Sequence, residues 1–410
     1  MIFDEIVIGC GMAGLYWIYK TKPKNYLILE KSNRIGGRVY NIDWNGHQIS
    51  LGGGIIKGDN EYTIKLSKEL GLELGSGVSK YEMTNWKNKL SESSLVENNF
   101  YEINKKLIKY LKNIFNTNKD EINKNKFNFG EFLDLYVDLE LVNHIKSNIL
   151  YQTYFKGDVE SVLYDVMSEL LRSENFNILF IKDGGYTKLL NKLIEIIGIN
   201  NIKTNQNVIL ITKDNDTQIF EIKTELDEIY KSKKIILATE TNLIKYDFDN
   251  CEIVNKILKL YSMTSGSCNI RIYSYHKSGH GLKLSCKTSG LPGKVIIINE
   301  NILMCCYTED LNAYKLNILL YNKSINEQIE IIYKLLSMCS INISKPDDII
   351  IKFWKIGVNY NNPKFNKEKK NKLIKNLIKE NIIIIGECVS NSHGWVNSAF
   401  ESVEFVLDKS

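Results

Sequence analysis

Three glycines, Gly9, Gly11 and Gly14, follow the short apolar run ending Val7-Ile8 and precede an apolar stretch that opens with Leu15-Tyr16. A strand, a glycine turn and a helix start in this order can hold a pyrophosphate. The first glycine makes the tight bend, the second lets the backbone approach the phosphates, and the third lets helix and strand pack closely. Met12 and Ala13 fill the turn, where the unpaired N–H groups of the helix start donate to negative charge. Glu30 closes a second apolar run, Tyr26-Leu27-Ile28-Leu29, and stands at the ~20-residue offset from Gly9 at which a carboxylate meets an adenosine ribose. Beyond Lys31 come Arg34, Gly36, Gly37 and Arg38, two guanidinium groups around a glycine pair, suited to pyrophosphate oxygens. Gly52, Gly53 and Gly54 then let backbone approach something flat. Far along the chain, Ile382 to Ile385 leads into Gly386-Glu387 and a helix start at Trp395-Val396. This is a second place built for negative charge.

The elements that must position these residues follow from periodicity. Glu61 to Leu70 reads as a helix, and residues of about 80 to 180 as a largely helical insertion with a solvated stretch near 109–130. Asp183-Gly184-Gly185-Tyr186 feeds an amphipathic helix, Ile202 to Thr212 alternates as one strand, and Lys234 to Thr239 is a buried strand. From Tyr246 to about Ile349 the pattern is strand-like, with runs at Cys268–Tyr275, Lys294–Ile298 and Ile302–Tyr307, then a helix at Ile325–Leu336.

Composition narrows the classes. At 410 residues the chain has material for two domains, and a net charge of +5 is too small for its length to mark a nucleic-acid protein. The eight cysteines form no CxxC pair and no cluster with histidine, so neither a zinc site nor a disulfide framework is expected. No apolar run approaches the ~20 residues of a membrane span, and a strand begins almost at once. A soluble, intracellular (cytoplasmic) protein is expected.

The segments VIGCGMAGL, LEKSNRIGGRV and LGGGIIKG, in this order and spacing, together with HGWVNSAFES, resemble the flavin-containing amine oxidase family of monoamine, polyamine and L-amino-acid oxidases. The resemblance implies an α/β fold: a Rossmann-like FAD-binding domain and a discontinuous α+β substrate domain. Residues 1–75, 182–245 and 350–410 fall to the first, 76–181 and 246–349 to the second. It also implies FAD contacts from Gly53, Gly54, Ile55, Val396 and Ala399, with Val208 lying against adenine and Gly386-Glu387 contacting phosphate and ribityl. The segment that tethers flavin covalently in monoamine oxidases has Val358 here, so FAD is expected to be noncovalent.

The implied reaction is oxidation of a small-molecule amine to an imine, with dioxygen reduced to hydrogen peroxide. Trp395 is the expected aromatic wall, faced by Asn359 or Tyr360. Lys57 stands where some polyamine oxidases have histidine. Lys294, with Lys283 and Lys287, could supply the lysine that usually neighbours the flavin. Ile55 departs from the tryptophan or carboxylate-binding arginine of other members, which disfavours an amino acid as substrate. Amino-acid oxidation, another flavin oxidase or desaturase chemistry, and a non-catalytic binding protein akin to the prenyl-binding Rab chaperones are the alternatives on this scaffold.

Overall fold

In the computed structural model, residues 1–77, 81–83, 94–148, 151–163, 178–239, 244–288 and 290–409 are described. A five-stranded sheet anchors the molecule, in the order Ile202–Lys203, Tyr26–Leu29, Glu5–Ile8, Ile235–Leu237, Ile382–Ile384, with every neighbour parallel. Such a sheet is covered on both faces, which is why its strands are unbroken apolar runs. Ile6, Val7, Ile28, Ile235, Ile236, Leu237 and Ile382 are all fully buried, each contributing roughly 1.5–3 kcal/mol. The chain leaves Glu5–Ile8 toward one side of the sheet and returns on the other. The reversal of strand order opens a crevice at the carboxyl ends of Glu5–Ile8 and Ile235–Leu237, the place where such sheets bind ligands.

A second sheet of six strands runs Asp348–Asn361, Thr264–Tyr275, Ile302–Glu309, Lys294–Ile297, Ser285–Lys287, Tyr81–Met83. One face packs on helices Asp310–Leu320 and Ile325–Met338 through Ile270, Ile272, Cys305, Leu316 and Ile332. The other face meets the glycine segment near residue 52. There Trp354 Nε1 donates to the Leu51 carbonyl at 2.7 Å, Tyr273 donates to Ser50 at 2.5 Å, and Arg271 donates to the Ser50 carbonyl at 3.1 Å and to that of Gly52. The helical insertion, from Ser94–Asn125 through Phe129–Tyr136 and Leu139–Asn148, has its own core around Leu111, Phe129, Phe132 and Ile145.

Three expectations change. Ile202 to Thr212 is not one strand: Asn205 takes a φ of 55° and Gln206 N–H donates to Glu30, so Ile202–Lys203 stays with the parallel sheet and Val208–Lys213 joins another. The strand-like region after Tyr246 contains two helices, Cys251–Tyr261 and Asp310–Leu320. Residues 350–361 extend the six-stranded sheet, while helix Cys251–Tyr261 packs into the core of the parallel sheet. The loop around Thr239-Glu240-Thr241 lies largely outside the described residues.

Candidate functional site

The glycine turn after Glu5–Ile8 shows what each glycine does. A β-carbon on Gly14 would sit 2.3 Å from the Gly9 carbonyl oxygen, and one on Gly9 2.5 Å from that of Ala238. These two positions are closed by packing. At Gly11 the nearest atom to such a carbon is Gly37 Cα, 3.9 Å away. Gly11 therefore opens onto space, and the Arg34–Arg38 segment borders it: Gly36 N–H donates to the Cys10 carbonyl at 2.8 Å, and Gly11 and Gly36 form a parallel bridge. Gly53 N–H donates to the Arg38 carbonyl at 2.9 Å, which brings the third glycine segment alongside.

Helix Met12–Thr21 begins with no side-chain cap and no acidic residue in its first turn. The first N–H groups of a helix lack intrahelical partners, so this start is an unopposed positive pole. Helix Val396–Leu407 starts in the same way behind Trp395. Between strand and helix on that side, Gly386 has a φ of 113° and nothing within 4 Å of where its β-carbon would be. Gly11 and Gly386 thus leave two openings at the carboxyl ends of strands that flank the same central strand, Ile235–Leu237.

Two carboxylates hold the walls. Glu30, 7% exposed, accepts from Cys10 N–H at 2.8 Å through one oxygen and from Ser32 N–H at 2.9 Å and its hydroxyl at 2.7 Å through the other. Backbone bonds from Glu30 to Lys203 and Gln206 draw Val208 toward the same end. Glu387, buried, accepts from Asn359 N–H at 3.0 Å, Asn359 Nδ2 at 2.9 Å, Gly394 N–H at 2.5 Å and the Arg38 guanidinium. Burial pushes its carboxyl up, but the charge of Arg38 with these hydrogen bonds outweighs it and holds it below the ordinary range. His393 is pushed down to about 4 by burial, and among the described residues both of its ring nitrogens lack hydrogen-bond partners. It stands neutral beside the Glu387 carboxylate.

The remaining predicted residues divide. Arg34 turns back onto the carbonyls of Val39, at 3.2 Å, and Gly37, with its guanidinium over the Tyr40 ring at 4.3 Å, so it shapes its own loop. Lys31 is exposed. Gly54 abuts Ser50, and the Val396 Cγ2 would meet a β-carbon on Gly53 at 2.9 Å, so the glycine segment touches the start of the last helix. Ile55 is 44% exposed. Val358 lies against Gly394, and Tyr360, two residues on, shares its strand face, whereas Asn359 on the alternate face binds Glu387. Trp395 is partly buried at the helix start and Ala399 one turn further. Lys57 pairs with Asp59 at 2.7 Å. Lys294, 6% exposed, lies 4.0 Å from the centre of the Tyr151 ring and donates to its hydroxyl. Sequence reasoning missed Asn359 as the partner of Glu387, and it missed Arg271, Trp354 and Glu309. These are defined by long-range partners and carry no local spacing signal.

All eight cysteines are free thiols, and no metal-holding group of His, Cys, Asp or Glu occurs among the described residues. Nor, among those residues, is any helix long and apolar enough to cross a membrane.

Comparison with known proteins agrees with this geometry. Residues 20–278 match the profile of the flavin containing amine oxidoreductase family. The chain is 38% identical over 76 residues to flavin-containing amine oxidase A of Equus caballus, covering 18% of this chain and 14% of that relative. It is 33% identical over 73 residues to flavin-containing amine oxidase B of Bos taurus, covering 17% and 14%. The chain thus spans about a seventh of the length of these relatives. A cyclohexylamine oxidase from Brevibacterium oxydans shares the fold, with a TM-score of 0.74 at 14% identity over 100% of this chain and 99% of the other. A putrescine oxidase bound to putrescine aligns with a TM-score of 0.73 at 14% identity and the same coverage. The chain belongs to the flavin-containing amine oxidoreductase family, and its cofactor is FAD.

Proposed function

We propose that this chain is an FAD-dependent amine oxidase that converts a polyamine or another primary or secondary amine to an imine, hydrolysed to an aldehyde, with dioxygen reduced to hydrogen peroxide. The observation that carries the reading is the pair of openings at Gly11 and Gly386 between two helix starts free of acidic residues. They suit an extended dinucleotide with anionic phosphates at its middle. Glu30 would hold the ribose, Arg38 and the Gly11 turn the pyrophosphate, and Gly386-Glu387 the ribityl end. Bound FAD supplies the two-electron acceptor. The chain supplies position and desolvation: Trp395 and Tyr360 wall the substrate, and the neutral amine, whose lone pair assists loss of hydride, is favoured in such an apolar slot. Lys57, paired with Asp59, and Lys294, set against Tyr151, would supply basic groups to that pocket.

The experiment is a visible spectrum of the purified protein followed by anaerobic titration with spermine, spermidine, putrescine, monoamines and L-amino acids. Bleaching of the flavin bands by an amine, with peroxide on readmission of oxygen, is expected. Yellow protein that no amine bleaches overturns the reading. Trp395→Ala should retain FAD and lower turnover about 10-fold or more, as expected when an orienting contact is lost; unchanged turnover removes Trp395 from the site.

A further inference from the structure

The face of the six-stranded sheet turned toward the cofactor crevice carries a buried carboxylate that nothing above uses. Glu309, 5% exposed, ends strand Ile302–Glu309 directly across from Asn269, which pairs in turn with Trp354. Asn269 packs so closely on Gly357 that a β-carbon there would lie 2.3 Å from its own, and the Gly357 carbonyl accepts from Arg38 at 3.3 Å. This row of residues runs from Glu309 to Arg38, which binds Glu387, and Glu309 lies in electrostatic reach of Tyr360.

The side chain does not do what its position dictates. Glu309 is the N-cap of helix Asp310–Leu320, yet it caps nothing, although a carboxylate at a helix start ordinarily accepts from the free N–H groups. Instead Oε1 accepts from Thr153 N–H at 3.2 Å and from the Thr153 hydroxyl. Oε2 accepts from none of the described residues. Asp310 takes a φ of 54°, uncommon outside glycine, where the chain turns into the helix, and its carboxylate pairs with Lys156 at 2.5 Å. The charged and titratable groups around Glu309 are Lys294, Lys156, Asp310, Tyr360 and Cys268. Burial pushes the Glu309 carboxyl up to about 7, against the hydrogen bonds of Thr153 and the charge of Lys294.

We infer that Glu309 takes the proton from the ammonium group of the incoming substrate. One N–H bond of the ammonium breaks and one O–H bond forms on Oε2, while the nitrogen keeps the electron pair. A buried cation and anion become a neutral amine and a neutral acid, the pairing that low dielectric favours. The proton returns to water when product leaves. This assignment rests on the amine-oxidation reading above.

The test uses the holoenzyme and the amine that bleaches its flavin fastest. For Glu309→Gln, anaerobic flavin reduction at pH 7 should slow by about 10²- to 10⁴-fold. The deficit should close as pH nears ~10, where an alkylamine arrives already neutral. A deficit that is the same at every pH marks a structural role and overturns the assignment. Thr153→Val, which removes one hydrogen bond to the carboxylate, should move the acid limb of the wild-type profile to higher pH; an unmoved limb overturns it also, and this variant carries the test if Glu309→Gln fails to hold FAD. A readout apart from turnover is the proton count for binding of 2-phenylpropan-2-amine, which has no hydrogen on its α-carbon, by calorimetry in two buffers at pH 8. Wild type should exchange no net proton and Glu309→Gln should release about one, the ammonium proton for which it has no acceptor; equal counts overturn the assignment. If no amine bleaches the wild-type flavin at any pH, the amine-oxidation reading has failed, and the proton count still judges Glu309.

Discussion

Gly11 and Gly14 lie in one turn and have opposite duties. A side chain at Gly14 meets the Gly9 carbonyl at 2.3 Å, so Gly14→Ala should destabilise the protein by about 1–3 kcal/mol, read as a lower denaturation midpoint. At Gly11 a side chain meets only open space, so Gly11→Val should fold with an unchanged circular dichroism spectrum and purify colourless. Colourless, unfolded Gly11→Val would mean that the space belongs to the core rather than to a ligand. Glu387 carries the reverse risk: Arg38→Ala leaves its buried carboxylate without its guanidinium, at a cost of about 3–5 kcal/mol. Thermal melts of Arg38→Ala with and without added FAD separate this from loss of cofactor. The glycines and Glu30 were legible in the sequence because what they need is local: a tight turn, a close approach, a strand end. Glu309 was illegible because its partner, Thr153, is 156 positions away and neither residue sits in a motif.

Strand Asp348–Asn361 is the element that joins the halves of the site. Its pairing with Thr264–Tyr275 runs from Asp348 to Asn361, yet Asn359 within it binds Glu387 beside the parallel sheet. Next to it, Arg271 ties the same sheet to the glycine segment, so Arg271→Met should leave Ser50 with its Tyr273 donor and the Gly52 carbonyl with only the 3.3 Å contact of the Ser50 hydroxyl, at a cost of about 1–3 kcal/mol. Faster amide exchange at residues 51–54, relative to the parallel strands, is the measurement. The parallel strands were read correctly because both faces are buried and the runs are apolar throughout. Helix Asp310–Leu320 was not, because it is apolar on both sides. Ala313, Leu316 and Leu320 face the core while Leu311, Tyr314 and Ile318 are exposed, which erases the stripe that marks a surface helix. The break at Asn205 escaped notice for a similar reason, since the apolar residues on either side of it alternate in phase.

Over the whole molecule, acid should find a specific weak point. His276, 1% exposed, is held between the hydroxyls of Ser344, at 2.8 Å, and Ser274, at 2.9 Å. Burial and the neighbouring His280 push it down to about 4, with Asp347 acting in the other direction. Because the unfolded chain binds this proton more readily, its contribution is complete above about pH 6.5 and drains away as pH falls toward 4. Denaturation midpoints measured from pH 7 to 4 should fall more steeply for wild type than for His276→Asn. The family resemblance implied the fold class but says nothing of this region, whose hydrogen bonds join Ser274 to Ser344 across the sheet edge.

The fifth strand of the parallel sheet comes from residues 382–384, and the second helix start that faces the crevice from Trp395 onward. A ribosome that has made the glycine turn, Glu30 and both arginines has therefore produced only half a clasp. The crevice can close around a flavin nucleotide only after residue 407 has cleared the exit tunnel, so capture waits on the last of these helices.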